Sequence, residues 1–588
     1  MMHQLIISSL LFFFLFNPCV FAFSQGNSGK FQVAKYGGQL SSDASTFRAK
    51  KIFDRMKAVA DKHADRYPEL YLVASNELFA KSMIDGSILI SRKALEFCYC
   101  YCHKSNRIDQ SCLKTIRSDV NCLTNPDERE CIGDSRLAFV MGHELAHLAF
   151  GDHGYGAKEL YSTTKKSPTK HSKDFFECEH RADAYGMLYA TMAGFHSFED
   201  IRKQGRNFFQ EWLDQLPALK RQCLNHPLPK LRINEVQEHM KRVKNYLNFF
   251  HMGSRLLYIG KYEKAIDFLS RFRSNYPGRE VYNNIGCAYY QLAIQELMKY
   301  QPDIINRFYL STPVDMQSGL DNTRPIISKS LQTLYQIKFN ENIQKAIDNF
   351  EYACSKDPHY IPSVTNLSSC FLVKQKYNLA LSEIEKVNET NNPFLLNNKA
   401  VSEYLSSKES ESSMCILAKI LKDKPDFYPA CFNLTRMIAE TKMPNAYSSC
   451  CADIISEAYS SCKKMPQNTI NHSKQKSIPG QLFTRPVQLG EITKKVQKYL
   501  SKMKCQSDNL GYYTVDFCSE TFTNVLVLGT RLEIVESIFK PPFKSISILN
   551  NYQKPKRLFF TASDVQILVY EKLAVEVEHD NIIGVIFF

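Results

Sequence analysis

The stretch that most constrains this chain is Ala138-Phe-Val-Met-Gly-His-Glu-Leu-Ala-His-Leu-Ala-Phe-Gly-Asp-His153, which contains HExxH. Leu137, Phe139, Val140, Leu145, Leu148 and Phe150 recur at helical spacing, so the segment reads as a buried amphipathic helix. On such a helix His143 and His147, one turn apart, leave the same face and can grip one metal ion. Glu144 points beside that face. There a carboxylate can take a proton without occupying the metal.

Two residues compete for the third ligand position. His153 follows His143 at the distance of the HExxHxxGxxH pattern, but that pattern requires glycine where Phe150 stands. Its glycine is displaced to Gly151, and no Met-turn follows. The second candidate is Glu179, in Phe176-Glu-Cys-Glu-His-Arg-Ala-Asp-Ala-Tyr-Gly-Met-Leu-Tyr-Ala190, which reads as another helix. Glu179 and Asp183 share a face there, suiting one carboxylate to the metal and the next to orienting a ligand histidine. Cys178, beside Glu179, is a less suitable extra ligand.

HELAH followed by Glu179-His-Arg-Ala-Asp183-Ala-Tyr-Gly resembles the HExxH plus ExxAD signature of gluzincin metallopeptidases of the prenyl-protease, HtpX and Oma type. Gly86-Ser-Ile-Leu-Ile-Ser-Arg-Lys-Ala-Leu95 resembles that family's strand and helix ahead of the metal-binding helix, where the strand edge is expected to hold an extended substrate. His226-Pro-Leu-Pro-Lys-Leu-Arg232-Ile resembles the element that closes its catalytic domain. The resemblance implies one zinc ion held by His143, His147 and Glu179. Glu144 would be the base and Asp183 the partner of a ligand histidine. Arg232 and His226 would lie near the metal to stabilise the oxyanion.

The remaining segments suggest an exported, multidomain protein. Leu5 to Phe23 is nearly all apolar and ends in small residues, as in a secretory signal over residues 1–24, although no Lys or Arg precedes it. If retained, it is just long enough to anchor the chain in a membrane, and no later run would span one. Cys98, Cys100, Cys102, Cys112, Cys122 and Cys131, among 19 cysteines, crowd an insertion over 97–132, which suggests disulfides of undeducible pairing in an oxidising compartment. The net charge of +14 is dispersed, with no basic stripe interleaved with aromatics, so no nucleic-acid partner is expected.

Downstream, Gly260-Lys-Tyr-Glu-Lys-Ala265 with Pro277, Ala346 with Pro358, and Tyr377 with Ala380 fit tetratricopeptide positions. Ala346 to Ala380 spans the 34-residue period. Tyr360 to Ser368 and Phe427 to Thr435 mirror each other about two periods apart, while a polar stretch from about Gln301 to Asn340 interrupts one unit. The expected architecture is mainly α and multidomain. A zincin-type α+β metallopeptidase domain occupies 25–245, a tetratricopeptide-like α-solenoid 246–462, a linker 463–482 and a small β-rich α+β module 483–588, with one helix over Arg531 to Ile538. The layout resembles envelope proteases that join a gluzincin domain to such repeats. It implies protein or peptide substrates, with an envelope or outer-membrane protein as a partner of the repeats, in the periplasm or outside the cell.

Overall fold

The computed structural model describes residues 29–60, 68–83, 85–102, 107–108, 116, 128–152, 171–195, 208, 212, 229–311, 313, 332–387, 391–407, 410–425, 427–441, 451–464, 490–491, 497–498, 500–509, 514–520, 523–528, 531–538, 557–560, 566–569, 573–578 and 581–588. The signal-like segment, most of the 463–482 linker, Ser545 to Leu549 and residues 156–170 of the polar connector expected between Gly156 and Asp174 lie outside these residues, whereas His171 to Asp174 are helical. Two compact units divide between Lys244 and Asn245. Helices predominate.

In the first unit, α1 (Gly29–Lys35) and α2 (Ala44–Val59) precede strands β1 (Glu69–Val73), β2 (Ala80–Ser82) and β3 (Ser87–Ser91). α2 starts at a reciprocal cap: Asp43 Oδ1 accepts the Thr46 amide, and Thr46 Oγ1 accepts the Asp43 amide. Its stripe of Ala49, Ile52, Phe53, Met56 and Val59 is buried. The sheet order is β1-β3-β2, with β1 parallel and β2 antiparallel to β3. β3 is therefore central, every residue of it buried. This corrects the expected substrate-holding edge: both sides of β3 are paired, and among the described residues the outer strand on that side is β2.

α3 (Arg92–Cys100) leads to a short hairpin, β4 (Tyr101–Cys102) with β5 (Arg107–Ile108). Cys100 and Cys131 are both disulfide-bonded, whereas Cys98 is a free, buried thiol. The expected stapling of this insertion thus does not include Cys98, whose side chain packs in the core. Next come the long helices α4 (Glu128–Phe150) and α5 (His171–Met192). Arg48 of α2 is buried and makes a two-pronged pair with Asp134 of α4, at 2.6 and 2.7 Å, and reaches Glu130 at 3.3 Å. Tyr99 of α3 donates to Asp134 at 2.7 Å, so one carboxylate ties three helices together.

Helix α6 (Pro229–Tyr258) contains the division between the units. In the second unit the helices are α7 (Tyr262–Arg273), α8 (Arg279–Tyr300), α9 (Pro302–Arg307), α10 (Gln332–Lys356), α11 (Ile361–Val373), α12 (Tyr377–Glu385), α13 (Pro393–Ser407), α14 (Ser410–Asp423), α15 (Tyr428–Thr441) and α16 (Ala452–Lys464). Consecutive helices from α10 to α15 pack in pairs, and alternate ones, α11 with α13 and α13 with α15, also touch, as in a stacked helical-repeat array. Ala265, Ala346 and Ala380, the expected small-residue positions, are fully buried. The interruption is shorter than expected, because α10 resumes at Gln332. Disulfides Cys415–Cys451 and Cys431–Cys462 fasten α16 to the array.

The C-terminal strands β6 (Gly490–Glu491), β7 (Lys504–Asn509), β8 (Thr514–Glu520), β9 (Thr523–Leu528), β10 (Arg531–Ile538), β11 (Arg557–Phe560), β12 (Gln566–Val569), β13 (Leu573–Glu578) and β14 (Asn581–Phe587) form one antiparallel sheet. Its order is β11-β12-β13-β14-β10-β9-β8-β7, with β6 also on β10. Arg531 to Ile538, expected to be helical, is strand β10. Its β-branched Ile534, Val535 and Ile538 suit a strand, and both β9 and β14 pair with it.

Candidate metal centre

α4 and α5 cross where neither carries a side chain. A Cβ on Gly142 would stand 2.6 Å from the Gly186 carbonyl oxygen, and one on Gly186 would stand 2.6 Å from the His143 amide nitrogen. The glycine pair lets the two backbones touch, and one turn along from it the face of α4 bearing the histidines meets the face of α5 bearing the carboxylates.

There His143, His147 and Glu179 converge, one ligand atom from each lying within 4.8 Å of the others. The Nε2 atoms of His143 and His147 are 3.0 Å apart, and Glu179 oxygens lie 3.8 Å from the first and 3.5 Å from the second. Ligands at zinc-bond length from a common tetrahedral centre stand roughly 3.4 Å apart, and the two Nε2 atoms and the two Glu179 oxygens, one oxygen nearer each histidine, are spaced on that scale. Two imidazoles and one carboxylate are also a donor set suited to zinc, leaving a fourth position open.

Each histidine is backed by a carboxylate. Asp183 Oδ1 lies 2.8 Å from His143 Nδ1, off the N–H direction of the ring, so the two stand close without a formed hydrogen bond. Asp152 Oδ2 lies 3.0 Å from His147 Nδ1. Asp152 also pairs with Arg181, whose guanidinium covers the Phe150 ring at 4.5 Å. Burial acts to lower the His147 pKa, but the hydrogen bonds to Asp152 and Glu179 outweigh it and push the ring up to about 10.

Glu144 Oε2 accepts both the amide and the hydroxyl of Ser82 at 2.7 Å, joining the carboxylate to the outer edge of β2. Cys178 is a free, buried thiol, pushed up to about 11 by burial and then by the Asp152 carboxylate, and it is not among the three convergent ligands. His153, His226 and the Arg232 side chain lie outside the described residues. Sequence reasoning missed Asp152 and Ser82. For Asp152 a signal existed: Gly151 has φ +68°, and the Asp152 amide donates to His147 carbonyl oxygen at 3.1 Å, a helix stop that folds Asp152 back onto that histidine. Ser82 had none.

The chain matches no protein-family model and no curated protein. Among solved structures, it is similar to the human IFIT1 dimer with PPP-AAAA at 12% identity and TM-score 0.21, covering 58% of this chain and 85% of that one. It is also similar to a monomeric IFIT1 mutant with m7Gppp-AAAA at 13% identity and TM-score 0.21, covering 59% and 82%. Likenesses at that TM-score carry no conclusion about fold or function.

Proposed function

We propose that this chain is a zinc-dependent endopeptidase of gluzincin type, exported to the cell envelope or beyond it, whose helical repeats recruit substrate or partner proteins. The observation that carries the reading is the convergence of His143, His147 and Glu179 from two crossing helices, with Glu144 beside them and unneeded as a ligand. A zinc ion held by His143, His147 and Glu179 would supply Lewis acidity toward a carbonyl and toward water. Glu144, which stands beside the three ligands, would serve as the general base and then as the acid toward the leaving amine. Asp152, 3.0 Å from His147 Nδ1, and Asp183, beside His143 Nδ1, would orient the two ligand imidazoles. The outer edge of β2, on which no other described strand pairs, would offer an extended substrate its remaining main-chain groups, the Ser82 amide being held by Glu144. Arg232 and His226 are proposed oxyanion donors on the family resemblance alone.

Export is supported by the disulfides, which persist in oxidising compartments, and by the apolar N-terminal run. No described helix is long and apolar enough to cross a membrane.

The test is zinc content by atomic spectroscopy for the full chain and Glu179→Ala, beside casein cleavage by wild type and Glu144→Gln. One zinc per chain, lost with Glu179, and cleavage lost by at least about a hundredfold with Glu144 are expected. Zinc retained without Glu179 would move the third ligand to His153. Zinc bound without any wild-type cleavage would reject the peptidase and leave the repeats as a binding scaffold.

A further inference from the structure

Beyond α9, residues 308–311 and 313 lie against the array. Phe308 has extended backbone and packs on Tyr404 at 5.6 Å between ring centroids, while Arg307 forms a two-pronged pair with Glu440. Alternate residues 309, 311 and 313 then meet three fully buried asparagines, about one repeat apart, on α15, α13 and α11. Asn433 accepts the Tyr309 amide at 2.7 Å and donates to its carbonyl at 2.8 Å. Asn398 does the same for Ser311, at 2.8 and 3.1 Å. Asn366 donates to the Pro313 carbonyl at 2.6 Å. Asn397, Ser369 and Asn283 add donors to the carbonyls of residues 309, 311 and 313.

A carboxamide that accepts an N–H and donates to the C=O of the same residue reads backbone and ignores the side chain. Repeated at every second residue, it recognises extended polypeptide, whose like-oriented groups recur with period two. The resident segment is an imperfect ligand. Proline has no N–H, and among the described residues Asn366 Oδ1 is buried without a hydrogen-bond partner.

We infer that this asparagine-lined face of the array is a backbone-reading groove for extended polypeptide, and that residues 308–311 and 313 are its resident occupants, displaced by a competing segment with an N–H at the position of Pro313. The inference deepens the proposed recruiting role of the repeats and needs nothing from the metal site. Its test reads binding without cleavage, so the two can fail separately.

The probe is a fluorescein-labelled RFYLSTA peptide, the chain's residues 307–313 with alanine for the final proline, titrated against the full chain by fluorescence anisotropy. Ser311→Pro removes the resident amide that Asn398 accepts and leaves every groove side chain in place. It is expected to bind the probe about tenfold more tightly than wild type. Adding Asn398→Ala should abolish that gain, and a probe ending in proline should bind Ser311→Pro about fivefold more weakly than the alanine probe. If circular dichroism shows that Ser311→Pro does not fold, Arg307→Ala loosens the same segment from its partly exposed end and carries the same expectation. Affinity equal to wild type in the folded loosened variant, binding indifferent to Asn398→Ala, or equal binding of both probes would overturn the inference and leave residues 308–311 and 313 as permanent structural contacts.

Discussion

At the residue scale, a few buried polar side chains hold positions that apolar packing alone would leave loose. Asp134 is fully buried; burial pushes its pKa up, and the Arg48 guanidinium counters this by holding the charged form. Asp134→Asn would leave Arg48 buried without its main counter-charge, and a loss of about 3–5 kcal/mol in denaturant unfolding is expected. Gln375, at φ +59°, occupies the turn position that Gly260 fills at φ +79° before α7. Left-handed backbone costs a residue with a Cβ about 1–2 kcal/mol, and the entropy glycine loses returns part of that. Gln375→Gly should therefore stabilise the array by about 0.5 kcal/mol, seen as a higher urea midpoint at unchanged slope. The recurrence of Lys-Tyr at 261–262 and 376–377 made that equivalence legible in the sequence, but the strain at Gln375 was not.

At the element scale, the metal centre depends on how closely α4 and α5 approach. Gly186→Ala puts a methyl group where the His143 backbone lies, and the helices must separate. About 1–3 kcal/mol of stability should be lost, and zinc affinity should fall by at least about tenfold, because Glu179 retreats from the histidines while all three ligands remain present. Asp43 offers a milder test. Burial disfavours its charge, but the Thr46 amide and the Ser45 and Thr46 hydroxyls prevail and lower its pKa. A lowered folded-state pKa gives stability that is present above the unfolded value and lost as pH falls through the folded one. Asp43→Ala should accordingly cost about 1 kcal/mol near neutral pH and progressively less in acid unfolding series. Strand β10 carries the opposite lesson about elements. Within Arg531 to Ile538 the apolar residues satisfy neither period cleanly, and the register shift between Leu532 and Ile534 explains why alternation was hidden.

For the whole molecule, the disulfides act at the far end of the array. Each closes a long stretch of chain, 36 residues for Cys415–Cys451 and 31 for Cys431–Cys462, so each should contribute about 3–4 kcal/mol by restricting the unfolded chain. Cys462→Ser should therefore expose α16 to faster amide hydrogen exchange, with α7 and α8 unchanged. What the sequence determined by itself was local. His143 and His147 share a face because they are one turn apart, as do Glu179 and Asp183, and the 34-residue spacing announced stacked helix pairs. The mirrored segments around Asn366 and Asn433 were visible as repeats, yet nothing in them says what their carboxamides hold. Only the tertiary structure brought Glu179 to the histidines, made β2 rather than β3 the outer strand among the described residues, set Ser82 on Glu144 and laid residues 308–311 and 313 across the asparagines. Periodicity fixes which side chains leave one face of one element, whereas contacts between distant residues depend on crossing, register and close approach, which no local spacing encodes.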